Sequence, residues 1–432
     1  MRLFLFTYWY LPDNRTAVNR VKYFKKIFLD SNIDTHLIYC DNNSEKANES
    51  NAVEYKMPFN HLFYSLSVYL LKRNWLFFYK IIHFIYLISR KRDVYDFYRN
   101  FKAIESSKSF NIGKDDVIIT SAPPYSALNI GYYLKKKYGA KWIIDYRDPW
   151  TLGYPTLAYS IFADKFRKLI QRKDELKFLE HADQIITVSE SLKDTFPKKH
   201  HHKISIIPNG ANTDEMDLSK INPLPSAFSI VYAGTLYPQQ LEHNYFFDVV
   251  KKFIVENNIK PEDFKLHFIG SDSSDELKSI IKHLDLNDFV NITKRLDLPE
   301  LYSYMYNASM FLHLKYSNRD KIITSKQYDY LALQKAIILP QSDNGDIAES
   351  IIKNEAGYVC HSKEELYEVL QKEFMKFRNK QDVRIYRSES YVKNLSRDKA
   401  SEELLKLVFS SVSLQDNINI DQIPPAILHG TI

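Results

Sequence analysis

Short runs of apolar residues alternate along this chain with longer stretches in which apolar residues recur at helical spacing. Residues 2–7 form the first run, a helical pattern begins at about Thr16, and residues 35–40 form the second run. Short apolar runs are typical of buried strands, and helical spacing is typical of amphipathic helices. Their alternation predicts an α/β protein with a parallel, doubly wound sheet. Ligands bind beyond the carboxyl ends of the strands in such sheets, so the loops that follow strands are where we expect the chemistry.

The alternation runs through two series of elements that are separated by a polar stretch containing two prolines. The further strands predicted in the first series cover residues 115–120, 141–145, 184–188 and 204–207. The strands predicted in the second series cover residues 228–233, 265–270, 289–292, 310–314, 336–340 and 357–360. A length of 432 residues suits two domains better than one. The predicted division is a first domain at 1–207, a linker at 208–227, a second domain at 228–395, a helix at 396–412 and a loosely docked tail at 413–432.

The stretch from Thr324 to Ala332 predicts a helix with an unusual first turn. Ser325 can accept from the unpaired amides of that turn, and Lys326 and Asp329 lie one turn apart on the same face. A cation and spare N–H groups at a helix start suit a phosphate, and a carboxylate one turn deeper can accept from both vicinal hydroxyls of a ribose. The helix therefore predicts a nucleotide-diphosphate site. Taken by itself, it fits a surface Lys–Asp pair on an ordinary amphipathic helix better.

Arg147 and Asp148 come directly after the strand predicted at 141–145. A guanidinium binds a phosphate or a carboxylate through two parallel hydrogen bonds, and a carboxylate can orient a sugar hydroxyl. The alternative is a turn that an Arg–Asp contact holds against Pro149. The position at a strand end favours the functional interpretation.

Two strand ends of the second series carry weaker candidates. Gly234 lets the backbone approach a ligand closely and Thr235 can donate to a phosphate, although a plain tight turn explains this pair equally well. Arg295 follows the strand predicted at 289–292, in the place where such a sheet meets a nucleotide base. We therefore add Gly234, Thr235 and Arg295 to the candidate donor site.

Composition and charge limit the classes of partner. The net formal charge is +6, and no Lys/Arg run is interleaved with base-stacking aromatics, so we expect no nucleic acid. The histidines at 200–202 could bind metal by composition, but consecutive residues do not face one site. We therefore predict a solvated loop there, and no other spacing predicts a metal site. Cys40 and Cys360 have no CxxC partner and favour a reducing cytoplasm.

One aromatic and basic stretch, residues 58–92, is a candidate for contact with a membrane. Its apolar part, residues 74–89, is interrupted by Lys80 and is shorter than the roughly 20 residues that a transmembrane helix requires. Basic residues flank it on both sides, which fits a peripheral helix among anionic headgroups on the inner face of the plasma membrane. A helix packed in the domain core with a basic end fits equally well, because aromatic residues are common throughout the chain.

Five motifs follow one another in an order and spacing that are fairly specific together, although each is weak alone. They are IIDYRDPW at 143–150, ADQIITVS at 182–189, IPNG at 207–210, YAGTL at 232–236 and SKQYDYLA at 325–332. The set resembles glycosyltransferase family 4, and the match runs from residue 1 to about residue 410. The resemblance implies the GT-B fold, in which two Rossmann-like doubly wound domains face a central cleft.

In that family the second domain binds a nucleotide-sugar diphosphate, the first binds the acceptor, and the last helix crosses back to the first domain. Transfer retains the anomeric configuration and needs no essential metal. The resemblance implies that Gly234, Thr235 and Lys326 lie near the diphosphate, and that Asp329 stands where the family's ribose-binding glutamate usually is.

The chain departs from the family pattern at several positions. Lys321 and Asp329 stand where the family often has two glutamates eight positions apart. Gln239 and Gln240 lie near the place of the usual Arg and Lys phosphate ligands. Gln334 replaces the glycine that usually ends the nucleotide helix.

Our first hypothesis is a retaining glycosyltransferase of the hexosyltransferase type, which moves a sugar from a nucleotide-diphosphate sugar to a lipid-linked glycan acceptor. It would act in bacterial surface polysaccharide biosynthesis, with Lys326 stabilising the departing diphosphate and Arg147 and Asp148 shaping the sugar and acceptor site. We expect no further cofactor. A catalytically impaired scaffold in a polysaccharide assembly complex is the alternative that the missing family residues support. A sugar-nucleotide epimerase ranks lower, because no cluster of acid–base residues stands at the predicted strand ends.

Overall fold

The chain folds into two units, each built around its own parallel sheet. The first unit comprises Met1–Pro208 and Ala400–Ile432, and the second comprises Asn209–Lys399. The structure, a computed structural model, describes residues 1–10, 16–41, 53–58, 66, 69–89, 97–105, 110–148, 150–152, 161–223, 225–242, 245–316 and 320–413.

Seven parallel strands form the sheet of the first unit, in the order β3-β2-β1-β4-β5-β6-β7. They are β1 (Arg2–Phe6), β2 (Asp34–Asp41), β3 (Val53–Pro58), β4 (Val117–Ala122), β5 (Lys141–Tyr146), β6 (Gln184–Thr187) and β7 (Ile204–Ile206). The sequence pattern did not predict β3, which lies at the edge of the sheet and pairs with β2 alone.

Helices cover both faces of this sheet. The helices of the first unit are α1 (Thr16–Asp30), α2 (Leu76–Ser89), α3 (Phe97–Glu105), α4 (Ala127–Tyr138), α5 (Ile161–His181) and the short α6 (Glu190–Lys193). Val21 of α1 packs in one apolar cluster with Leu5 and with Leu404 near the chain's end. Trp142 and Phe178 belong to a second cluster on the other face. Burial of apolar side chains on both faces is what the near-continuous apolar strands require.

Six parallel strands form the sheet of the second unit, in the order β10-β9-β8-β11-β12-β13. They are β8 (Phe228–Ala233), β9 (Phe264–Ile269), β10 (Val290–Thr293), β11 (Met310–Leu312), β12 (Ala336–Leu339) and β13 (Gly357–Val359). The chain order steps outward from β8 to β10 and then restarts at β11 on the other side of β8. The loops after β8 and β11 therefore lie at the switch point, where open α/β sheets bind ligands.

The second unit contains most of the remaining helices. They are α7 (Pro238–Leu241), α8 (Phe246–Glu256), α9 (Asp275–His283), α10 (Leu298–Tyr306), α11 (Ser325–Ala332), α12 (Asp346–Lys353), α13 (Lys363–Arg378) and α14 (Glu389–Asn394). The last described helix, α15 (Arg397–Ser413), starts in the second unit and belongs to the first unit from Ala400 onward.

The two parallel sheets confirm the predicted fold class, whereas one local prediction is wrong. The stretch predicted as a solvated loop forms a 3₁₀ helix, Lys198–Lys203, in which His200 is only 2% exposed. His200 lies beside Glu180 of α5, so the helix is packed against the unit instead of lying in solvent. Of the predicted tail, residues 414–432 lie outside the described part of the chain.

Candidate functional site

The loop that follows β8 has a backbone shape that only glycine adopts readily. The φ angle of Gly234 is 123°, in the region that favours glycine. Its amide donates to the carbonyl oxygen of Ile269 at 2.8 Å, and its own carbonyl accepts from the Ser271 hydroxyl at 2.9 Å. A Cβ at this position would lie 3.4 Å from Nζ of Lys326. The backbone of the loop therefore faces this lysine with no side chain in between.

Helix α11 begins beside this loop, with a start that differs from the prediction. Thr324 is the N-cap and makes no side-chain capping hydrogen bond, and Ser325 is the first helical residue. The Thr324 hydroxyl lies instead 3.3 Å from Nε2 of the buried His313. No side-chain cap therefore competes with an anion at the start of the helix.

Lys326 has an aromatic partner where a lysine in such surroundings commonly has a carboxylate. Its Nζ lies 3.8 Å from the centroid of the Tyr232 ring. Within the described part of the chain, no acidic side chain comes within ion-pair distance of Lys326. The surrounding protein excludes much of the water that would solvate the ammonium group, which lowers the pKa of Lys326 to about 7. The same burial, with the nearby Lys326 charge, lowers the pKa of His313 to about 3, so His313 is neutral.

Two tyrosines that the sequence interpretation did not single out, together with Gln240, fix this arrangement. The Tyr330 hydroxyl of α11 accepts from the amide of Ala233 at 2.9 Å, which ties the helix to the end of β8. The Tyr232 hydroxyl lies 3.1 Å from the Thr235 carbonyl oxygen and 3.2 Å from Oε1 of Gln240. Gln240 is buried and donates from Nε2 to the Leu314 carbonyl at 3.2 Å. Gln240 therefore braces the loop from inside.

Asp329 lies one turn beyond Lys326 and interacts with a different part of the second unit. Its Oδ1 accepts from the amide of Asn212 at 3.1 Å. The Asn212 side chain in turn accepts from Nη1 of Arg397 at 3.2 Å. Burial raises the pKa of Asp329, and the charge of Arg397 opposes this effect. Asp329 thus anchors the segment that follows Gly210 to α11.

The exposed candidates of the second unit follow β8 and β10, the strands on either side of β9. The Thr235 and Arg295 side chains are both exposed. A Cβ on Gly270, after β9, would lie 3.6 Å from the Gly234 carbonyl carbon and 3.8 Å from Cα of Arg295. The structure therefore brings the backbones of Gly234, Gly270 and Arg295 together beside Lys326, while Asp329 contacts the Asn212 segment.

The candidates of the first unit lie directly after β5, as their place in the sequence predicts. Nη2 of Arg147 donates to the carbonyl oxygen of Pro123 at 2.5 Å, and its amide donates to the Ala122 carbonyl at 3.0 Å. Arg147 and Asp148 form no ion pair with each other in the described chain, so no Arg–Asp contact holds this turn. The Asp148 carboxylate is exposed. Pro149 lies outside the described residues.

Two buried carboxylates that the sequence interpretation did not single out stabilise the turn after β5. Asp145, at the end of β5, pairs with Arg20 at 3.0 Å and accepts from the Ser121 hydroxyl at 2.7 Å. Glu175 of α5 accepts from the Thr151 amide at 3.1 Å and also contacts the hydroxyls of Thr151 and Tyr146. Burial raises the pKa of Glu175 even though these three donors oppose the effect.

The described residues include no group of three or more His, Cys, Asp or Glu side chains that is arranged to hold a metal ion. Apart from Asp329, the candidate groups of the second unit are instead cations, hydroxyls and backbone amides. Such a set suits a negatively charged ligand.

Two parallel sheets covered by helices, with a cationic helix start beside one of them, are typical of GT-B glycosyltransferases. Residues 32–215 match the profile described as Glycosyltransferase Family 4. Residues 227–372 match the profile described as Glycosyl transferases group 1. The chain therefore belongs to the family 4, group 1 glycosyltransferases and is an enzyme that transfers a sugar from a nucleotide sugar.

Solved structures share the fold at low sequence identity. Sucrose-phosphate synthase from Thermosynechococcus elongatus is 14% identical, with a TM-score of 0.64 over 96% of this chain and 100% of that chain. Anabaena HepE, solved with UDP and glucose, is 12% identical, with a TM-score of 0.63 over 95% and 100%. The UDP-GlcNAc 2-epimerase from Methanocaldococcus jannaschii is 11% identical, with a TM-score of 0.51 over 95% and 99%. No curated protein matches the chain by sequence.

Proposed function

We propose that this glycosyltransferase is a retaining enzyme that passes a sugar to a lipid-linked glycan acceptor in bacterial surface polysaccharide biosynthesis. The observation that carries the donor side is the position of Lys326, with Nζ on the face of the Tyr232 ring and against the Gly234 backbone. Lys326 has no acidic counter-ion among the described residues. A bound diphosphate supplies the missing negative charge.

Lys326 acts in this proposal on the departing nucleoside diphosphate. Negative charge grows on the diphosphate as the bond to the sugar breaks, and a fixed cation at that point lowers the barrier. The start of α11, with Ser325, adds aligned amides and the positive end of the helix dipole. The Gly234 backbone and the Thr235 hydroxyl contribute further donors on the other side.

Asp329 and Arg295 are proposed to bind the rest of the nucleotide. One Asp329 oxygen already accepts from the Asn212 amide, but a carboxylate has about four acceptor positions. It can therefore hold the Asn212 segment and also accept from ribose hydroxyls. Arg295 follows β10 and is exposed, and we propose that it meets the base.

Arg147 and Asp148 are proposed to shape the sugar and acceptor site of the first unit. The Arg147 guanidinium is held by the Pro123 carbonyl, so its direction is set before any substrate binds. The exposed Asp148 carboxylate can accept from an acceptor hydroxyl. We propose no role for a metal, in keeping with the family resemblance.

Two other functions remain as outcomes of the test. An epimerase shares the fold, so the fold alone does not separate the two reactions, but the matching profiles are those of transferases. One observation would also fit a scaffold without activity: Gln240, near the place of the family's usual phosphate ligands, is buried as a brace. A scaffold of this kind would bind no nucleotide.

The test compares Lys326→Ala with the wild-type enzyme on a panel of UDP- and GDP-sugars. We expect the rate of sugar transfer or donor hydrolysis to fall about 100-fold, because the variant loses a charge that stabilises the transition state. Calorimetry with UDP and GDP should show weaker binding by roughly tenfold or more.

Lys278→Ala is the matched control, because Lys278 is a half-exposed lysine of the same unit, and its ion pair in the described chain is with Asp275 of its own helix. It should leave both measurements unchanged. An unaltered rate in Lys326→Ala would refute the role of Lys326. Failure of the wild-type protein to bind any nucleotide would favour the scaffold instead.

A further inference from the structure

The start of helix α2 exposes large apolar side chains on every side. Phe77 is 71% exposed, Phe78 56% and Trp75 53%, and the neighbouring Leu76 and Ile81 are 50% and 41% exposed. We name these five residues the apolar tip. A helix packed in the domain core would bury most of these side chains, so the core alternative for 58–92 fails at the tip.

Exposed apolar residues are concentrated around this tip. Eight of the fifteen large hydrophobic residues that are exposed in the described chain lie between Leu66 and Ile81. The other seven are scattered one by one, as on any protein surface. A contiguous exposed apolar patch marks a surface that another body covers.

The charge around the tip identifies the kind of body. Lys72, Arg73 and Lys80 are all exposed, and none has an acidic partner in the described chain. Residues 58–92 contain six Lys and Arg and no Asp or Glu, while the whole chain carries a net charge of +6. The remaining residues are therefore neutral overall, and the entire excess of positive charge lies in this one stretch.

The length of α2 limits how far it could enter an apolar phase. The helix has 14 residues, and no helix in the described ranges is long and apolar enough to cross a bilayer. Asn74, with a φ of 60°, ends the preceding helical turn, so Lys72 and Arg73 lie just before the tip, and Lys80 lies within it, directly before Ile81. This arrangement places cations beside an aromatic cluster without a long apolar span.

We propose that the apolar tip, with Lys72, Arg73 and Lys80, is a docking surface for the headgroup region of an anionic lipid bilayer. Tryptophan and phenylalanine insert at the boundary between headgroups and acyl chains, and the three cations pair with lipid phosphates. A second copy of the chain is the less favourable occupant, because a symmetric contact would bring two strongly cationic patches together. The proposal extends the proposed function, and rests on it only for the acceptor that the membrane would carry.

The test is flotation of the full chain with phosphatidylcholine vesicles, with and without phosphatidylglycerol, in the absence of donor. We expect binding that is strong only with phosphatidylglycerol and that weakens as salt is raised. Trp75→Ala/Phe77→Ala should reduce the partition coefficient about tenfold or more, because two inserted rings are lost. Lys72→Gln and Lys80→Gln should each reduce it about fivefold.

Matched controls come from exposed positions of the second unit. Ile352→Ala, at a residue that is 65% exposed, and Lys278→Gln should bind vesicles as the wild type does. Wild-type protein that stays unbound, or tip variants that bind like the wild type, would overturn the proposal. A wild-type dimer that the tip variants convert to a monomer would assign the surface to a second copy. Nucleotide calorimetry on the same variants separates this result from a failure of the proposed function, since their donor affinity should not change.

Discussion

The ends of β5 and β8 each have a cation beside them, Arg147 in the loop after β5 and Lys326 at the start of α11, but the two cations are held in different ways. Arg147 donates to the Pro123 carbonyl at 2.5 Å, so part of its hydrogen-bonding capacity is used within the protein. Lys326 lies 3.8 Å from the centre of the Tyr232 ring and has no acidic partner in the described chain. A ring face attracts a cation weakly compared with a carboxylate. Arg147 therefore already has a partner for one of its donors, although its buried Nε has none in the described chain, whereas Lys326 rests on a ring face and is available to an anion.

The buried groups near the two cations also differ in charge. Under the loop after β5, Asp145 and Arg20 form a buried ion pair at 3.0 Å. Beside the start of α11, the buried groups are the phenol of Tyr232 and the neutral imidazole of His313. Removing one partner of a buried ion pair lowers the free energy of unfolding, because the other charge is left unpaired. A poorly solvated cation without a partner already lowers the free energy of unfolding, so its removal should not. Four measurements can break or sharpen this comparison.

The largest effect is expected from Asp145→Ala. The substitution leaves Arg20 charged and buried without its partner, so the free energy of unfolding should fall by about 3–5 kcal/mol. Urea denaturation measures the change. The double variant Arg20→Met/Asp145→Leu is the control and should lose much less, because it removes both charges together. Equal losses in the two variants would mean that packing, not pairing, holds this region.

A smaller difference is expected between Arg147→Ala and Lys326→Ala. The first removes a charged donor from the Pro123 carbonyl and should lower the free energy of unfolding by about 1–3 kcal/mol. The second removes a poorly solvated cation and should leave stability unchanged or higher. Chemical denaturation of both variants provides the comparison, and a larger loss in Lys326→Ala would contradict it.

The smallest effect is the dependence of donor affinity on pH. Because the pKa of Lys326 is lowered to about 7, the side chain loses its charge above that pH and the diphosphate loses its partner. Donor affinity should fall by up to about tenfold per pH unit above pH 7. Calorimetry with a UDP-sugar between pH 7 and 9 measures this slope, and Lys326→Arg, which stays protonated, should flatten it.

The same shift also affects stability, with the opposite sign. The pKa of Lys326 is lower in the folded chain than the ordinary value of 10.5, so the unfolded chain binds more protons between about pH 7 and that value. The free energy of unfolding should therefore rise with pH across this window. In Lys326→Ala this contribution is absent.

Local sequence predicted most of the elements because strand and helix periodicities are properties of near neighbours. The strand predicted at 228–233 has the bounds of β8, and the helix predicted over 324–332 is α11, although its N-cap is Thr324 and not Ser325. The edge strand β3 was missed, since an edge strand needs only one partner and tolerates the polar residues and the terminal Pro58 seen there.

The end of α11 has a backbone conformation that its local sequence does not predict. Gln334 has a φ of 58°, in the left-handed region where the family usually has glycine. The conformation is kept because the Gln334 carbonyl accepts from the Ile385 amide at 2.8 Å and its Oε1 accepts from the Arg387 amide at 3.2 Å. These bonds come from a distant part of the chain and offset the strain of a non-glycine residue.

The sequence by itself determined the two parallel sheets, the strand-end position of Arg147, the helix-start position of Lys326 and the family to which the chain belongs. It could not determine that Lys326 rests on Tyr232, that Asp329 holds the Asn212 segment or that the tip of α2 is exposed. Those contacts join residues that are far apart in the chain, and they depend on strand order and on which helix faces are covered. Periodicity along the chain reveals neither the strand order nor the covered helix faces. Only the tertiary structure therefore decided these contacts and the exposure of the tip.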